Sequence, residues 1–113
     1  MAKIVYVPAA QRSLERIFGF YASESLGLAA RVLGVIAEAV SALRHSPFLG
    51  RRVGEDQHEL VVSHGKTGFV VLYRYVPTLE RPGTESVEPP GTVRVLAVRH
   101  QREAGYGGAP RVE

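Results

Sequence analysis

TVRVLAVRHQREAGY, residues Thr92–Tyr106, predicts a β-strand that stops on a cluster of polar side chains. The strand-forming residues are Val93, Val95, Leu96, Ala97 and Val98. The residues that follow, Arg99–Arg102, are all polar. Residues 93–102 include three Arg and no Asp or Glu, so this segment carries a charge of +3, equal to the net charge of the whole chain. Because a strand end holds side chains rigidly, this segment is the first candidate site.

The first half of the chain predicts one strand and two helices. Residues Lys3–Val7 have the composition of a strand, and Pro8 suits the first turn of a helix. Apolar residues then recur with helical spacing in two segments, and Ser25 in the break between them is a candidate N-cap. The second helix runs to about His45. The apolar stripes are Leu14, Ile17, Phe18 and Tyr21, and then Leu28, Val32, Val35, Ile36, Ala39, Val40 and Leu43.

The second half predicts three more strands joined by turns and loops. A loop at 47–54 precedes a strand at Gln57–Ser63, and a Gly-containing turn leads into the aromatic-led strand Phe69–Val76. The connection Pro77–Gly91 is rich in Pro and Glu and has the composition of a mobile loop. The last strand is Thr92–Arg99.

The predicted element order is β-α-α-β-β-β. Strands joined by hairpins are antiparallel, and the apolar stripes of the helices need a sheet face to bury against. The expected fold is therefore α+β, with a helical hairpin packed on a mainly antiparallel four-stranded sheet. We expect one domain, residues 1–104, followed by a flexible C-terminal tail, residues 105–113. Alternation along the third strand predicts that Tyr73 faces the core and that Arg74 is exposed.

Composition excludes several classes of protein. With 113 residues, 45% of them apolar and 22% charged, the chain is typical of a single soluble domain. It has no Cys, which suits a reducing compartment and excludes disulfides and thiolate metal sites. The N-terminal apolar run is too short for a signal peptide, and no apolar run approaches the roughly 20 residues of a membrane span. We therefore expect a cytoplasmic protein with no membrane partner.

The basic residues favour an anionic partner. Of the 14 basic residues, 12 are Arg, whose planar guanidinium binds phosphate and carboxylate groups through paired hydrogen bonds. A nucleic acid or an acidic protein segment would fit, although a coding bias toward Arg would give the same composition. The four His, at positions 45, 58, 64 and 100, lack the spacing of a metal site, so no metal and no cofactor are expected.

Four short motifs occur in this element order over about residues 3–102. They are the turn Pro47-Phe48-Leu49-Gly50-Arg51 (P-x-x-G-R), the segment His58-Glu59-Leu60, the strand Phe69-Val70-Val71-Leu72-Tyr73-Arg74, and the His-x-Arg ending at His100–Arg102. Together they resemble the RelE/ParE superfamily of bacterial toxins from type II toxin–antitoxin systems. In many ParE-like members the second motif is Arg-Glu-Leu and the third is of the YRIVYR type. The resemblance is closer to ParE, the plasmid-stabilisation type, than to RelE.

The resemblance implies alternative activities. ParE-like toxins arrest growth by binding DNA gyrase, RelE-like toxins are endonucleases that cleave mRNA on the ribosome, and a cognate antitoxin neutralises the toxin. No small-molecule substrate is implied. RelE-like endonucleases have basic residues where Val61 and Val70 stand here, and valine can neither move a proton nor stabilise a developing phosphorane. The expected function is therefore ParE-like target binding without catalysis, with an mRNA endonuclease as the alternative and a non-toxic binding module of the same fold as the second alternative.

The candidate site residues follow from these alternatives. For binding of the target they are Arg51, Arg74, His100, Arg102 and Tyr106. In a ribonuclease, His100 and Glu59 would move protons. Arg74 and Arg102 would bind phosphate, and Tyr106 would stack on a base or donate a proton.

Two of these assignments have a structural alternative. His100 could be a hydrogen-bonded histidine at the end of the sheet with no role in function. Arg51 and its neighbour Arg52 could form a solvated turn, with Glu55 and Asp56 as local ion-pair partners.

Overall fold

A computed structural model describes residues 1–65, 67–78 and 91–103. These residues form one mixed five-stranded sheet with two helices packed on one of its faces, which confirms the predicted α+β class. The bounds of the elements are β1 Lys3–Tyr6, α1 Pro8–Ala22, α2 Leu26–Ser41, a 3-10 helix Ala42–Arg44, β2 Arg51–Gly54, β3 Gln57–His64, β4 Thr67–Val76 and β5 Thr92–His100. The loop Pro77–Gly91, predicted to be mobile, lies largely outside the described residues. The tail 105–113, predicted to be flexible, lies wholly outside them.

The strands of the sheet are ordered β1-β5-β4-β3-β2. The neighbouring pairs from β2 to β5 are antiparallel, whereas β1 lies parallel to β5 at one edge, with Ile4 opposite Val93. A parallel pair needs a long crossover connection, and the chain between β1 and β5 includes both helices. In the packed domain α1 lies against β5 and α2 lies against β3. The first and last strands are therefore neighbours beneath the helical hairpin.

The sheet has five strands rather than the predicted four, because Arg51–Gly54 forms an edge strand instead of a loop. β2 pairs antiparallel with the start of β3, and the tight turn between them places Asp56 at a φ of 63°. Asp tolerates this left-handed conformation better than most residues. All four residues of β2 are exposed, so the segment lacks the alternation of apolar and polar residues by which a sequence indicates a strand.

The second helix begins where the sequence predicts. The Leu28 backbone N–H donates to Ser25 Oγ at 3.2 Å, so Ser25 caps α2. The residues Leu26–Arg44, which comprise α2 and the 3-10 helix, are long and apolar enough to cross a membrane, with a mean hydropathy of 1.8 over an 18-residue window of which 28% is buried. The expectation that no segment approaches a membrane span is therefore wrong for this helix. The inward positions of α2 are buried in the domain core, and the core helix of a globular domain has the same composition.

Tyr73 is among the largest fully buried side chains, as the strand alternation predicts, and its hydroxyl holds the loop before β2. The Tyr73 Oη accepts a hydrogen bond from the Gly50 backbone N–H at 2.9 Å. A Cβ at Gly50 would lie 2.6 Å from the Glu59 carbonyl oxygen and 2.9 Å from the Tyr73 ring. Burial raises the pKa of the Tyr73 hydroxyl, and the hydrogen bond from Gly50 lowers it by a smaller amount. The glycine of the P-x-x-G-R motif is thus required by close packing.

A β-bulge in β5 shifts the alternation of its side chains between the two faces of the sheet. Two successive residues of β4, Leu72 and Tyr73, pair with Ala97 and Val95, so Leu96 is an extra residue in β5. Side chains alternate between the two faces along a regular strand. The extra residue allows the valines on both sides of the bulge to point into the core, where they are fully buried.

We expect Tyr73→Phe to lower the free energy of unfolding by about 1–3 kcal/mol, because the variant keeps the ring but leaves the buried Gly50 N–H without its acceptor. Urea denaturation measures this change. The control is Tyr21→Phe, since the half-buried Tyr21 forms no hydrogen bond through its hydroxyl within the described residues. Its effect should stay within about 0.5 kcal/mol. Equal losses in the two variants would contradict the role of the Tyr73 hydroxyl.

Candidate target-binding face

The sheet has a helix-covered face and an opposite face, which we call the outer face. Core residues of β3, β4 and β5 point toward the helices, so the alternate positions of these strands point outward. Within the described residues no helix covers them. The outer face includes Lys3, Arg51, Glu59, Val61, Val70, Leu72, Arg74, Arg94, Ala97 and Arg99.

Positive charge is concentrated on the outer face. Its charged side chains are five cations and one carboxylate, whereas the whole chain has a net charge of only +3. The remaining charges are therefore close to balanced over the rest of the molecule. A surface with this excess of cations attracts an anionic partner and accelerates its association.

Arg74 and Arg94 lie directly opposite each other on β4 and β5, and both are exposed. Like charges at such a position are destabilising. Arg74 Nη2 lies 3.9 Å from Asp56 Oδ2, but the two side chains are 51% and 67% exposed, so this ion pair is weak. Arg94 forms no ion pair within residues 1–65, 67–78 and 91–103. The two guanidinium groups are thus placed to bind an anion together.

One row of the outer face contains no side chain that can transfer a proton. Val61 pairs with Val70, and Val70 pairs with Arg99 on β5. Val61 is 54% exposed and Val70 is 4% exposed. Neither valine can accept or donate a proton, and acid–base cleavage of RNA requires groups that do both. Arg99 is the polar member of this row, and a guanidinium does not deprotonate in proteins.

His100 faces the helices, and both of its ring nitrogens are hydrogen-bonded. Its Nε2 lies 2.9 Å from Thr67 Oγ1, and its Nδ1 accepts from the Arg102 backbone N–H at 3.2 Å. This acceptor role assigns the ring proton to Nε2, which donates to the Thr67 hydroxyl. The ring also packs edge-on against the buried Phe69. These contacts agree with the structural alternative for His100.

A compact turn follows β5 and fixes Arg99. Arg99 Nη1 donates to the carbonyl oxygens of His100, Gln101 and Glu103, at 3.3, 3.3 and 2.7 Å. The Glu103 carboxylate accepts from the His100 backbone N–H at 2.8 Å and lies 3.5 Å from Arg16 of α1. The turn is therefore tied to both the strand and the first helix.

Arg51 is placed on the outer face as a neighbour of Glu59. Arg51 Nη2 donates to Glu59 Oε1 at 3.3 Å, and the two side chains are 76% and 12% exposed. The Arg52 Nε donates to the Gly54 carbonyl oxygen at 3.4 Å. The predicted solvated turn at Arg51 and Arg52 is instead part of strand β2. The ion-pair partner of Arg51 is Glu59 on the neighbouring strand β3, not the predicted Glu55 or Asp56.

The predicted site residues do not converge on one place. Arg74 lies five residues along β4 from Phe69, the partner of His100, which corresponds to about 17 Å. Arg102 lies in the exposed turn after β5. Glu59 and His100 point to opposite faces of the sheet, so the structure does not bring together the two proton-moving groups of the ribonuclease alternative. Tyr106 lies outside the described residues.

Arg94 and Arg99 lie on the outer face but are not among the site residues predicted from the sequence. Arg94 stands between two core valines, and this alternation is a sufficient signal that its side chain points outward. Arg99 is five residues further on, and regular alternation would place it on the opposite face from Arg94. The bulge at Leu96 brings both arginines to the outer face.

The strand order, the helical hairpin and the four motifs place this chain among the RelE/ParE superfamily toxins of type II toxin–antitoxin systems. Residues 4–105 match the family described as ParE toxin of type II toxin–antitoxin system, parDE, and the chain belongs to this family. It is also similar to the protein named Toxin RelE3 of Caulobacter vibrioides (strain ATCC 19089 / CIP 103742 / CB 15). The two are 30% identical over 77 residues, which cover 68% of this chain and 84% of that protein. Membership of a type II system implies an antitoxin partner.

We expect Thr67→Val to lower the free energy of unfolding by about 1 kcal/mol, because it removes the hydroxyl that accepts from His100 Nε2. The matched control is Thr92→Val, a half-buried strand threonine without a side-chain hydrogen bond in the described part of the chain. Thermal denaturation compares the two.

In NMR spectra the wild-type His100 ring should carry its proton on Nε2, and a proton on Nδ1 would contradict the structural assignment.

Proposed function

We propose that this protein is a ParE-type toxin that arrests bacterial growth by binding DNA gyrase in the cytoplasm through the outer face of its sheet. The observation that supports binding rather than catalysis is the composition of that face. It has five cations, yet its neighbouring residues Val61 and Val70 stand where the resemblance to RelE-like endonucleases implies basic residues. Association through complementary charge requires a fixed basic surface and no proton transfer.

The proposed contacts extend the set predicted from the sequence. Arg51 and Arg74 bind the target from the outer face, together with Arg94 and Arg99. Arg102 contributes from the exposed turn that follows β5. In this proposal His100 is a positioning residue, because its hydrogen bonds hold the start of the turn that carries Arg102. Tyr106 remains a proposed contact of the C-terminal segment.

We also propose that the cognate antitoxin neutralises the toxin by covering its helices and part of its sheet. Two large apolar side chains near the corner of the helical hairpin, Phe20 and Leu26, are 70% and 69% exposed. Exposed apolar groups of this size are common at protein–protein interfaces. No cofactor, metal or small-molecule substrate enters the proposed function.

In a gyrase supercoiling assay, we expect purified wild-type protein to inhibit supercoiling. The double variant Arg74→Glu with Arg94→Glu should be at least about tenfold weaker, because it replaces the opposed cations by carboxylates. Arg31→Glu, an exposed change on α2, is the matched control and should inhibit like the wild type. Unchanged supercoiling at an excess of the folded wild-type protein would rule out gyrase as the target.

The second candidate is an mRNA endonuclease of the RelE type, which the name of the similar protein, Toxin RelE3, favours. Primer extension on translated messages distinguishes the two activities. We expect no new cleavage ends after induction, because the candidate groups Glu59 and His100 lie on opposite faces. New ends that disappear in Glu59→Gln would favour the endonuclease. Normal growth after strong induction of soluble protein would instead favour a non-toxic binding module.

A further inference from the structure

The sheet has two edge strands, β1 and β2, and the edge at β1 is protected. The Gln11 Nε2 of α1 donates to the Tyr6 carbonyl oxygen at 2.9 Å, and the charged residue of β1 is Lys3. Lysine on an edge strand is a common means of preventing two sheets from pairing. Two copies of β1 would bring like charges together, so this edge does not favour self-association.

The edge at β2 is open to solvent. All residues of β2 and of the turn that follows it, Arg51–Asp56, are exposed. The free edge of a strand presents unpaired N–H and C=O groups, which a further strand can satisfy. Three of the eight exposed large apolar side chains in the described part of the chain also lie here, namely Phe48, Leu49 and Val53. A pairing strand would therefore find both hydrogen-bonding groups and apolar surface.

The order of charges along the edge at β2 selects the partner. Arg51 and Arg52 are followed by two uncharged residues and then by Glu55 and Asp56, so the sign of the charge reverses at the midpoint of the segment. When two copies pair antiparallel about a twofold axis at that midpoint, the arginines of each copy lie beside the carboxylates of the other. A parallel arrangement would place like charges together. A second copy of this chain is therefore complementary to the edge at both of its ends.

These charges are available because their contacts within one copy are weak. The Arg52 Nε donates to the Gly54 carbonyl oxygen at a long 3.4 Å. Asp56 Oδ2 lies 3.9 Å from Arg74 Nη2, and both side chains are exposed, so this ion pair contributes little. Glu55 forms no hydrogen bond or ion pair within residues 1–65, 67–78 and 91–103. An ion pair between copies therefore competes with little inside the monomer.

We propose that two copies of this chain pair antiparallel through β2 and form a symmetric dimer in which the two five-stranded sheets become continuous. Val53 lies near the twofold axis, and Arg52 of each copy lies beside Glu55 of the other. Because β2 has only four residues, the interface is small, and a dissociation constant on the order of 10–100 µM is expected. The proposal depends on the edge and its charges and not on the identity of the target.

Sedimentation velocity of the full-length protein tests for the dimer. Between about 5 µM and about 500 µM the wild type should shift from monomer to dimer, and added salt should weaken the association because exposed ion pairs are screened. Hydrogen exchange locates the contact. The amides of Arg51–Gly54 should exchange more slowly at the higher concentration, whereas those of the other edge strand, Lys3–Tyr6, should not change.

Charge exchange tests the antiparallel arrangement. Arg52→Glu and Glu55→Arg, made separately, each place like charges opposite one another and should weaken the dimer at least about tenfold. The double variant restores opposite charges and should dimerise within about threefold of the wild type. Arg31→Glu, an exposed residue of α2, makes the same charge change as Arg52→Glu and is the control, so it should dimerise like the wild type.

Several results would overturn the proposal. One is a wild type that stays monomeric up to about 500 µM, which would leave this edge to a strand of a different protein. Others are a single variant that dimerises like the wild type, a double variant that stays monomeric, and slowed exchange in β1 instead of β2. Because these measurements contain no gyrase, their outcome is independent of the supercoiling assay.

Discussion

The hydrogen bond between the Tyr73 hydroxyl and the Gly50 backbone N–H connects the core of this domain to its edge. Tyr73 fills the space between sheet and helices, holds the loop that leads into β2, and provides the ring on which His58 stacks. The loop before the edge strand and the ring of His58 are therefore both held by one buried side chain. The next residue, Arg74, points to the opposite face, so the same strand also supports the outer face to which we assign binding of the target.

Much of this architecture is predictable from the sequence because it depends on local patterns. The helices follow from their apolar stripes, the start of α2 from Ser25, and the opposite orientations of Tyr73 and Arg74 from alternation along a strand. The edge strand β2 is different, because none of its residues is buried and only its pairing with β3 defines it. The bulge at Leu96 is likewise set by pairing with β4, which a pattern within β5 does not reveal.

The sequence predicts that charged residues form the candidate site but not which face of the sheet each side chain occupies. The sequence shows that arginines are concentrated after Val93, yet the bulge decides which face each of them occupies. His100 is a polar residue at a strand end, and the partner that fixes its ring, Thr67, is 33 positions away in the chain. Local sequence does not encode such a contact. The family motifs gave the class of protein, and the orientation of each side chain required the three-dimensional pairing.

The opposed arginines on β4 and β5 link the stability of this toxin to its occupancy. Repulsion between Arg74 and Arg94 weakens the free fold, and an anion bound between them removes that penalty. Any partner that binds the folded state in this way also stabilises it, by a free energy that grows with the logarithm of the ratio of its concentration to its dissociation constant. The free toxin is then less stable to unfolding than the toxin with an anion bound between Arg74 and Arg94.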